Sequence, residues 1–211
     1  MTLSPDLTTV CTAIAAIPFS GRRRLVAVAG APASGKSTLA DDIADQLNKG
    51  GHRSQVVPMD GFHLDNATLD DLGLRARKGA PETFDVGGLI RMINALSQDD
   101  QIYFPQFDRS RDIAIAGAAT VAPDIETVIV EGNYLLFAET PWSALAPLWD
   151  LRIFLTVPEN VLRGRLIDRW LAHDHSQAAA EARADGNDMA NARRVYANRL
   201  PCDIDVDFTA A

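Results

Sequence analysis

An α/β fold, with a mostly parallel sheet and helices on both faces, is what the sequence predicts, on three observations. Short apolar runs alternate with helical patterns through most of the chain. The run Leu25–Ala29 is bare of polar residues, the mark of a strand buried on both faces. It leads through a glycine-bounded loop directly into an amphipathic helix. At 211 residues the chain is expected to form a single domain, 1–211.

The elements follow in order. Ser4-Pro5-Asp6 reads as a helix cap, with Leu7, Val10, Ile14 and Ile17 at helical spacing behind it and Pro18 and Arg22-Arg23-Arg24 closing the segment. After Leu25–Ala29, the stretch Ser37–Lys49 repeats Leu39, Ile43 and Leu47 every four residues and stops at Gly50-Gly51. Gln55–Met59 is the next strand. Residues 61–84 lack apolar periodicity and are rich in Gly, Asp and Arg, so they are expected to be a functional loop. Asp85 can cap a helix whose Leu89, Ile90, Ile93 and Leu96 share a face. Ile102–Phe104, Ala118–Val121, Val128–Val130 and Leu151–Thr156 read as strands. Pro158-Glu159 opens a helix carrying Val161, Leu162, Leu166 and Trp170; residues 176–199 are helical and Ile204–Phe208 is a last strand.

Composition narrows the function. The formal net charge is −8, which repels nucleic acid, and no apolar run reaches the ~20 residues a membrane span needs. Only Cys11 and Cys202 are present, giving neither a disulfide framework nor a metal site, and the N-terminus lacks the basic start of a signal peptide. A cytoplasmic protein is expected, with no nucleic-acid or membrane partner.

Gly30-Ala31-Pro32-Ala33-Ser34-Gly35-Lys36-Ser37 fits G-x-x-x-x-G-K-[ST] without a gap, between strand and helix where the mechanism needs it. Glycines let the backbone curl so that successive N–H groups point at phosphate oxygens; Thr38 continues the cradle into the helix. Lys36 is placed to reach the β- and γ-phosphates and the Ser37 hydroxyl to ligate Mg²⁺, in the positive field of the helix start. The fold expected is therefore a P-loop NTPase (nucleoside triphosphate hydrolase) three-layer α/β/α sandwich with a helical lid, and the ligands ATP and Mg²⁺.

Carboxylates stand at two other strand ends, the edge where ligands bind in such sheets. Asp60 follows Gln55–Met59 as a general base or a metal ligand. Glu131 follows Val128–Val130, where a P-loop protein holds Mg²⁺ directly or through water. On the helix after Leu151–Thr156, Arg165 and Arg169 share a face that can close over the phosphates, and Arg163 lies off it. Arg75, Arg77, Lys78, Arg109 and Arg111 lie in loops and are weaker candidates for the acceptor side. His63 is a candidate substrate contact or a structural histidine, whereas His173 and His175 have no third ligand nearby and make no metal site. A GTPase is disfavoured: neither Asp70-Asp71-Leu72-Gly73 nor Asp85-Val86-Gly87-Gly88 follows an apolar strand, and Asn-Lys-x-Asp is absent.

With these residues in view, GAPASGKS, MDGFHLDN, RKGAPETFD, VIVEGNYLL and VPENVLRGRLIDRW together resemble the uridine kinase, phosphoribulokinase and bacterial pantothenate kinase group, and most of all bacterial fructose transport system kinases, from about Leu25 to Phe208. The resemblance implies a small-molecule kinase in which Asp60 is the catalytic base, Glu131 the acidic residue near Mg²⁺, and Arg165 and Arg169 the lid arginines. It puts His63, Arg77, Phe84 and Asp85 near the acceptor, and Asp203-Ile204-Asp205 near the adenine. The acceptor loop is taken as about 61–84 and the lid as about 159–186. The aromatic and histidine residues with which uridine kinases hold a pyrimidine are not recognisable, and the loop holds only Phe62 and Phe84 as aromatics, which favours a sugar such as fructose over a nucleoside. A nucleoside or pantothenate kinase, or a non-kinase P-loop ATPase or switch, is the alternative. The expected partner is a small-molecule hydroxyl acceptor, with a homodimer left open.

Overall fold

The computed structural model describes residues 6–98 and 100–207. Among the described residues seven strands and seven α-helices follow one another as α1 (Leu7–Ala15), β1 (Arg24–Gly30), α2 (Lys36–Lys49), β2 (Ser54–Pro58), α3 (Asn66–Asp71), α4 (Val86–Leu96), β3 (Ile102–Asp108), β4 (Ile113–Val121), β5 (Thr127–Gly132), β6 (Leu151–Thr156), α5 (Glu159–Leu171), α6 (Gln177–Arg183), α7 (Met189–Ala197) and β7 (Ile204–Asp207). The main sheet has the order β2-β5-β1-β6-β7 and all its pairings are parallel. β1 lies at its centre, with all seven residues buried.

Alternation along β1 divides the core. Leu25, Ala27 and Ala29 face one layer, where Leu89 and Ile93 of α4 pack with Tyr134 and Trp142. Val26 and Val28 face the other, against Val10 and Ile14 of α1 and Ile43 and Leu47 of α2. Each fully buried aliphatic side chain there contributes about 1.5–3 kcal/mol over its exposed form. Parallel strands covered on both faces give the three-layer sandwich expected. A third cluster, Leu162, Leu166, Ala180, Met189 and Ala192, is the internal core of α5–α7, closed against Ala31 and Val157.

Several boundaries shift for physical reasons. Asp6 caps α1 through the Thr9 N–H at 2.7 Å, while Ser4 and Pro5 lie outside the described residues. The first helix ends at Ala15, before Ile17. Met59 leaves β2 for a 3-10 turn, Met59–Phe62, that carries Asp60. Ile102–Phe104 and Ala118–Val121 are the ends of a longer antiparallel hairpin, β3–β4, which stands apart from the main sheet. The helical stretch 176–199 is interrupted by a π turn at Ala184–Asp188 and ends at Ala197. The last strand runs to Asp207, and Phe208 is beyond the described residues. Residues 61–84 hold α3 and two 3-10 turns, Arg75–Arg77 and Pro81–Thr83.

Candidate active site

Strand register assembles the site. β1 ends beside β5, with Ala29 opposite Gly132, and β5 ends beside β2, with Glu131 opposite Pro58. The loop after β1, the end of β5 and the Asp60 turn therefore meet at one edge of the sheet, the ligand-binding edge of open parallel sheets. They open into a cavity of about 920 Å³.

In the Gly30–Ser37 loop, Gly35 takes a left-handed conformation (φ 95°) that glycine adopts without strain, and it caps α2. Lys36 and Ser37 thus start the helix, and both line the cavity with Pro32, Ala33, Gly35 and Thr38. Gly30, Ala31 and Ser34 form the buried base of the loop. The Lys36 ammonium stands 4.0 Å from Glu131 Oε2, the two side chains being 13% and 7% exposed. Burial raises the Glu131 carboxyl above the usual glutamate range, opposed by Lys36 and reinforced by Asp60. Glu131 Oε2 and Asn133 Oδ1 are buried without hydrogen-bond partners. An orphaned carboxylate oxygen next to a helix-start hydroxyl is the donor set a hard cation such as Mg²⁺ takes, so Ser37 and Glu131 fit that ion.

Asp60 faces the same cavity. The turn that carries it presses against the β3–β4 hairpin at Gly61, where a Cβ would come within 2.0 Å of the Pro105 carbonyl oxygen. Burial works to raise the Asp60 carboxyl, but His63, Lys36 and Arg109 outweigh it and hold it below the ordinary aspartate range. The Arg109 guanidinium reaches Asp60 Oδ2 at 2.5 Å. His63 Nδ1 lies 2.8 Å from the Asp60 carbonyl oxygen, and its ring sits between Phe84 and Phe107, at centroid distances of 4.1 and 4.6 Å.

The arginines divide as the helix face predicts. Arg165 donates to the carbonyls of Ala33 and Ser34, at 3.3 and 3.1 Å, so α5 rests on the phosphate-type loop. Arg169 lines the cavity and is lowered by burial, with Arg109 adding to the effect. Arg163 is paired with Asp185 at 2.7 Å and is not among the cavity-lining residues.

On the acceptor side the placement departs from expectation. His63 reaches the cavity, but Arg77, Phe84 and Asp85 do not line it. Arg77 pairs with Glu82 at 2.9 Å, Phe84 is buried behind His63, and Asp85 caps α4 through the Gly88 N–H at 2.7 Å. Asp85 is held by a free helix start, which competes successfully for its carboxylate. Asp203 and Asp205 are likewise engaged, by Arg152 and by Thr156 and Arg199. The wall is built instead from Arg75, Lys78, Phe107, Arg109 and Asp112, with Trp170 of α5 and Asp188 of the π turn. Lys78 and Arg109 stood out in sequence only as loop cations; Phe107, Asp112 and Asp188 carried no motif.

A nucleotide-type loop, two convergent carboxylates and a helical subdomain with inward arginines define the P-loop kinase fold. A family model described as "Phosphoribulokinase / Uridine kinase family" matches residues 25–177. The chain belongs to that family of phosphotransferases. A crystal structure from Silicibacter sp. TM1040, of a protein provisionally named a fructose transport system kinase, is 50% identical with a TM-score of 0.93, over 95% of this chain and 98% of that one. The Escherichia coli K12 protein YggC is 37% identical over 190 residues, 89% of this chain and 79% of its own length. A Schizosaccharomyces pombe protein provisionally named a uridine kinase is 36% identical over 194 residues, 87% of this chain and 82% of its own. No helix of the described residues is long and apolar enough to cross a membrane.

Proposed function

We propose that the protein transfers the γ-phosphoryl group of Mg·ATP to a hydroxyl of a small polyhydroxylated acceptor, a sugar such as fructose, working in the cytoplasm as one kinase domain with residues 61–84 on the acceptor side and 159–186 as lid. The observation that carries this is that Lys36, Ser37 and Asp60 line one cavity at adjoining strand ends, with the buried Glu131 carboxylate 4.0 Å from Lys36. Residues 30–38 cradle the phosphates through the backbone and the α2 start, and Lys36 supplies charge where it develops. Ser37 and Glu131 hold Mg²⁺, whose chemistry when bound is to neutralise the phosphate oxygens. Asp60 orients the acceptor hydroxyl and receives its proton. The acceptor oxygen forms its bond to the γ-phosphorus as the bond to the β–γ bridging oxygen breaks, and ADP leaves. Arg165 and Arg169 stabilise the transferring group from the lid, and His63 borders the acceptor.

The sugar reading is supported by the name given to the Silicibacter relative and by an acceptor loop whose aromatics, Phe62 and Phe84, are buried and do not line the cavity, whereas Phe107 and Trp170 do line it and are the faces a nucleobase would use. A nucleoside acceptor is favoured by the name of the S. pombe relative and by the family's description. Labelled ATP with sugars, nucleosides and pantothenate tests the choice: efficient labelling of uridine or cytidine, with none of any sugar, ends the sugar reading.

A further inference from the structure

Asp60 Oδ2 is blocked from one direction. The group that holds it, Arg109, comes from the tip of the β3–β4 hairpin and not from the loop or lid that flank the nucleotide side. Arg109 is 60% exposed and Asp60 19%, so the cation has the freer side chain of the two. The backbone beneath Arg109 is fixed: Asp108 accepts from the N–H groups of Ser110 and Arg111, at 3.0 and 3.1 Å, and from the Ser110 hydroxyl at 2.6 Å. Gly61 packs the hairpin against the Asp60 turn. The Arg109 side chain is therefore the freer partner of the pair.

A guanidinium on Oδ2 takes one of the acceptor positions of the Asp60 carboxylate and draws on its negative charge, which makes it a weaker base toward an incoming hydroxyl. An anion that took Arg109 instead would leave Asp60 the stronger base. The nucleotide side already has Lys36, Arg165 and Arg169. The cavity wall also carries two cations that neither the Gly30–Ser37 loop nor α5 supplies, each paired with a carboxylate. Lys78 is 9% exposed and fixed by Asp112 at 2.9 Å, while Arg75 meets Asp70 only at 3.5 Å. Among the described residues the whole cavity carries seven Lys and Arg side chains against the carboxylates Asp60, Asp112 and Asp188, on a chain whose net charge is −8.

We propose that Arg109 anchors an anionic group of the acceptor, a carboxylate or a phosphate, exchanging Asp60 for it as the acceptor enters and thereby freeing the Asp60 carboxylate for the hydroxyl. The proposal rests on the kinase reading and narrows it: the acceptor is a polyhydroxylated compound bearing an anionic group, in preference to the neutral sugar. Transfer to such an acceptor is one kinase step on an already acidic or phosphorylated hydroxy compound.

Matched pairs test it: fructose with fructose 6-phosphate, glucose with gluconate, glycerol with glycerate, and pantothenol with pantothenate, each with Mg·ATP. The anionic member is expected to have a kcat/KM higher by about tenfold or more, the worth of one hydrogen bond between charged groups. Arg109→Gln is expected to remove that preference through the acceptor KM while the ATP KM stays within about twofold. A neutral member used equally well, or a preference unchanged in Arg109→Gln, or a rise confined to the ATP KM, overturns the proposal. Inorganic phosphate binding to the protein loaded with Mg²⁺ and a non-hydrolysable ATP analogue is a second measurement, independent of the acceptor's identity. Saturable binding weakened by about tenfold or more in Arg109→Gln supports the anchor, and its absence in the wild type overturns it. Failure of the ATP analogue itself to bind contradicts the kinase reading, and the anchor falls with it.

Discussion

Lys36 Nζ stands 4.0 Å from Glu131 Oε2, and that buried oxygen has no hydrogen-bond partner. The pair spans the loop after β1 and the end of β5, two neighbouring strands that bring a cation and a carboxylate from positions 95 residues apart to one point. A buried ion pair that leaves one carboxylate oxygen unsatisfied is a poor stabilising device. It is a good ligand-binding one.

Lys36→Ala is expected to lower phosphotransfer by about 10²-fold or more, because a positioned cation is lost where charge develops. Thermal unfolding and circular dichroism alongside the kinetics separate this from misfolding. A folded variant with near-normal turnover contradicts the assignment of the loop.

Asp60→Asn preserves shape and removes the charge. The kcat is expected to fall by roughly 10²–10⁴-fold with the ATP KM little changed. Loss of Mg·ATP binding with chemistry retained identifies Asp60 as a metal ligand instead.

Two arginines two residues apart on α5 are expected to behave oppositely. Arg165, which rests on the Ala33 and Ser34 carbonyls, is expected to cost about 10²-fold in kcat when changed to Ala. Arg163, paired with Asp185 on the exposed side, is expected to leave kcat/KM within about twofold when changed in the same way. Equal effects contradict the assignment of one face of α5 to the phosphates.

His63 links structure to pH. Burial lowers its pKa below the ordinary 6.5, with Lys78 and Arg109 adding and Asp60 opposing. The unfolded chain thus takes up the proton first as pH falls, and stability is lost from about pH 6.5 downward, with a slope of at most about 1.4 kcal/mol per pH unit. His63→Asn is expected to flatten that part of the stability–pH curve in denaturant titrations at pH 5–7. A slope identical to the wild type contradicts a neutral, buried His63.

Asp85→Ala is expected to cost about 1 kcal/mol of stability through the lost α4 cap. Denaturant midpoints measure it, and a rise in acceptor KM without destabilisation puts Asp85 back at the acceptor.

Much of the framework was legible in the chain because its signals are local. A bare apolar strand, a glycine-bounded loop and a four-residue apolar repeat need no distant partner, and β1, its loop and α2 formed where the pattern put them. Asp60 and Glu131 were legible because strand ends in a parallel sheet share one edge. The acceptor side was legible only in part: the Asp85 cap of α4 was readable locally, and that cap and the Arg77 pairing with Glu82 engage the two side chains that the resemblance put at the acceptor. The β3–β4 hairpin, which brings Arg109 to Asp60, is a tertiary placement that no periodicity in residues 102–121 records.

The central claim is phosphotransfer to an organic hydroxyl, and the fate of the γ-phosphoryl group of labelled ATP tests it most directly. Across sugars, sugar acids and phosphates, nucleosides and pantothenate, the account predicts label covalently attached to one acceptor class, turnover that depends on that acceptor, and loss of both in Asp60→Asn. Release of the label only as inorganic phosphate, at the same rate with and without every acceptor, would contradict it.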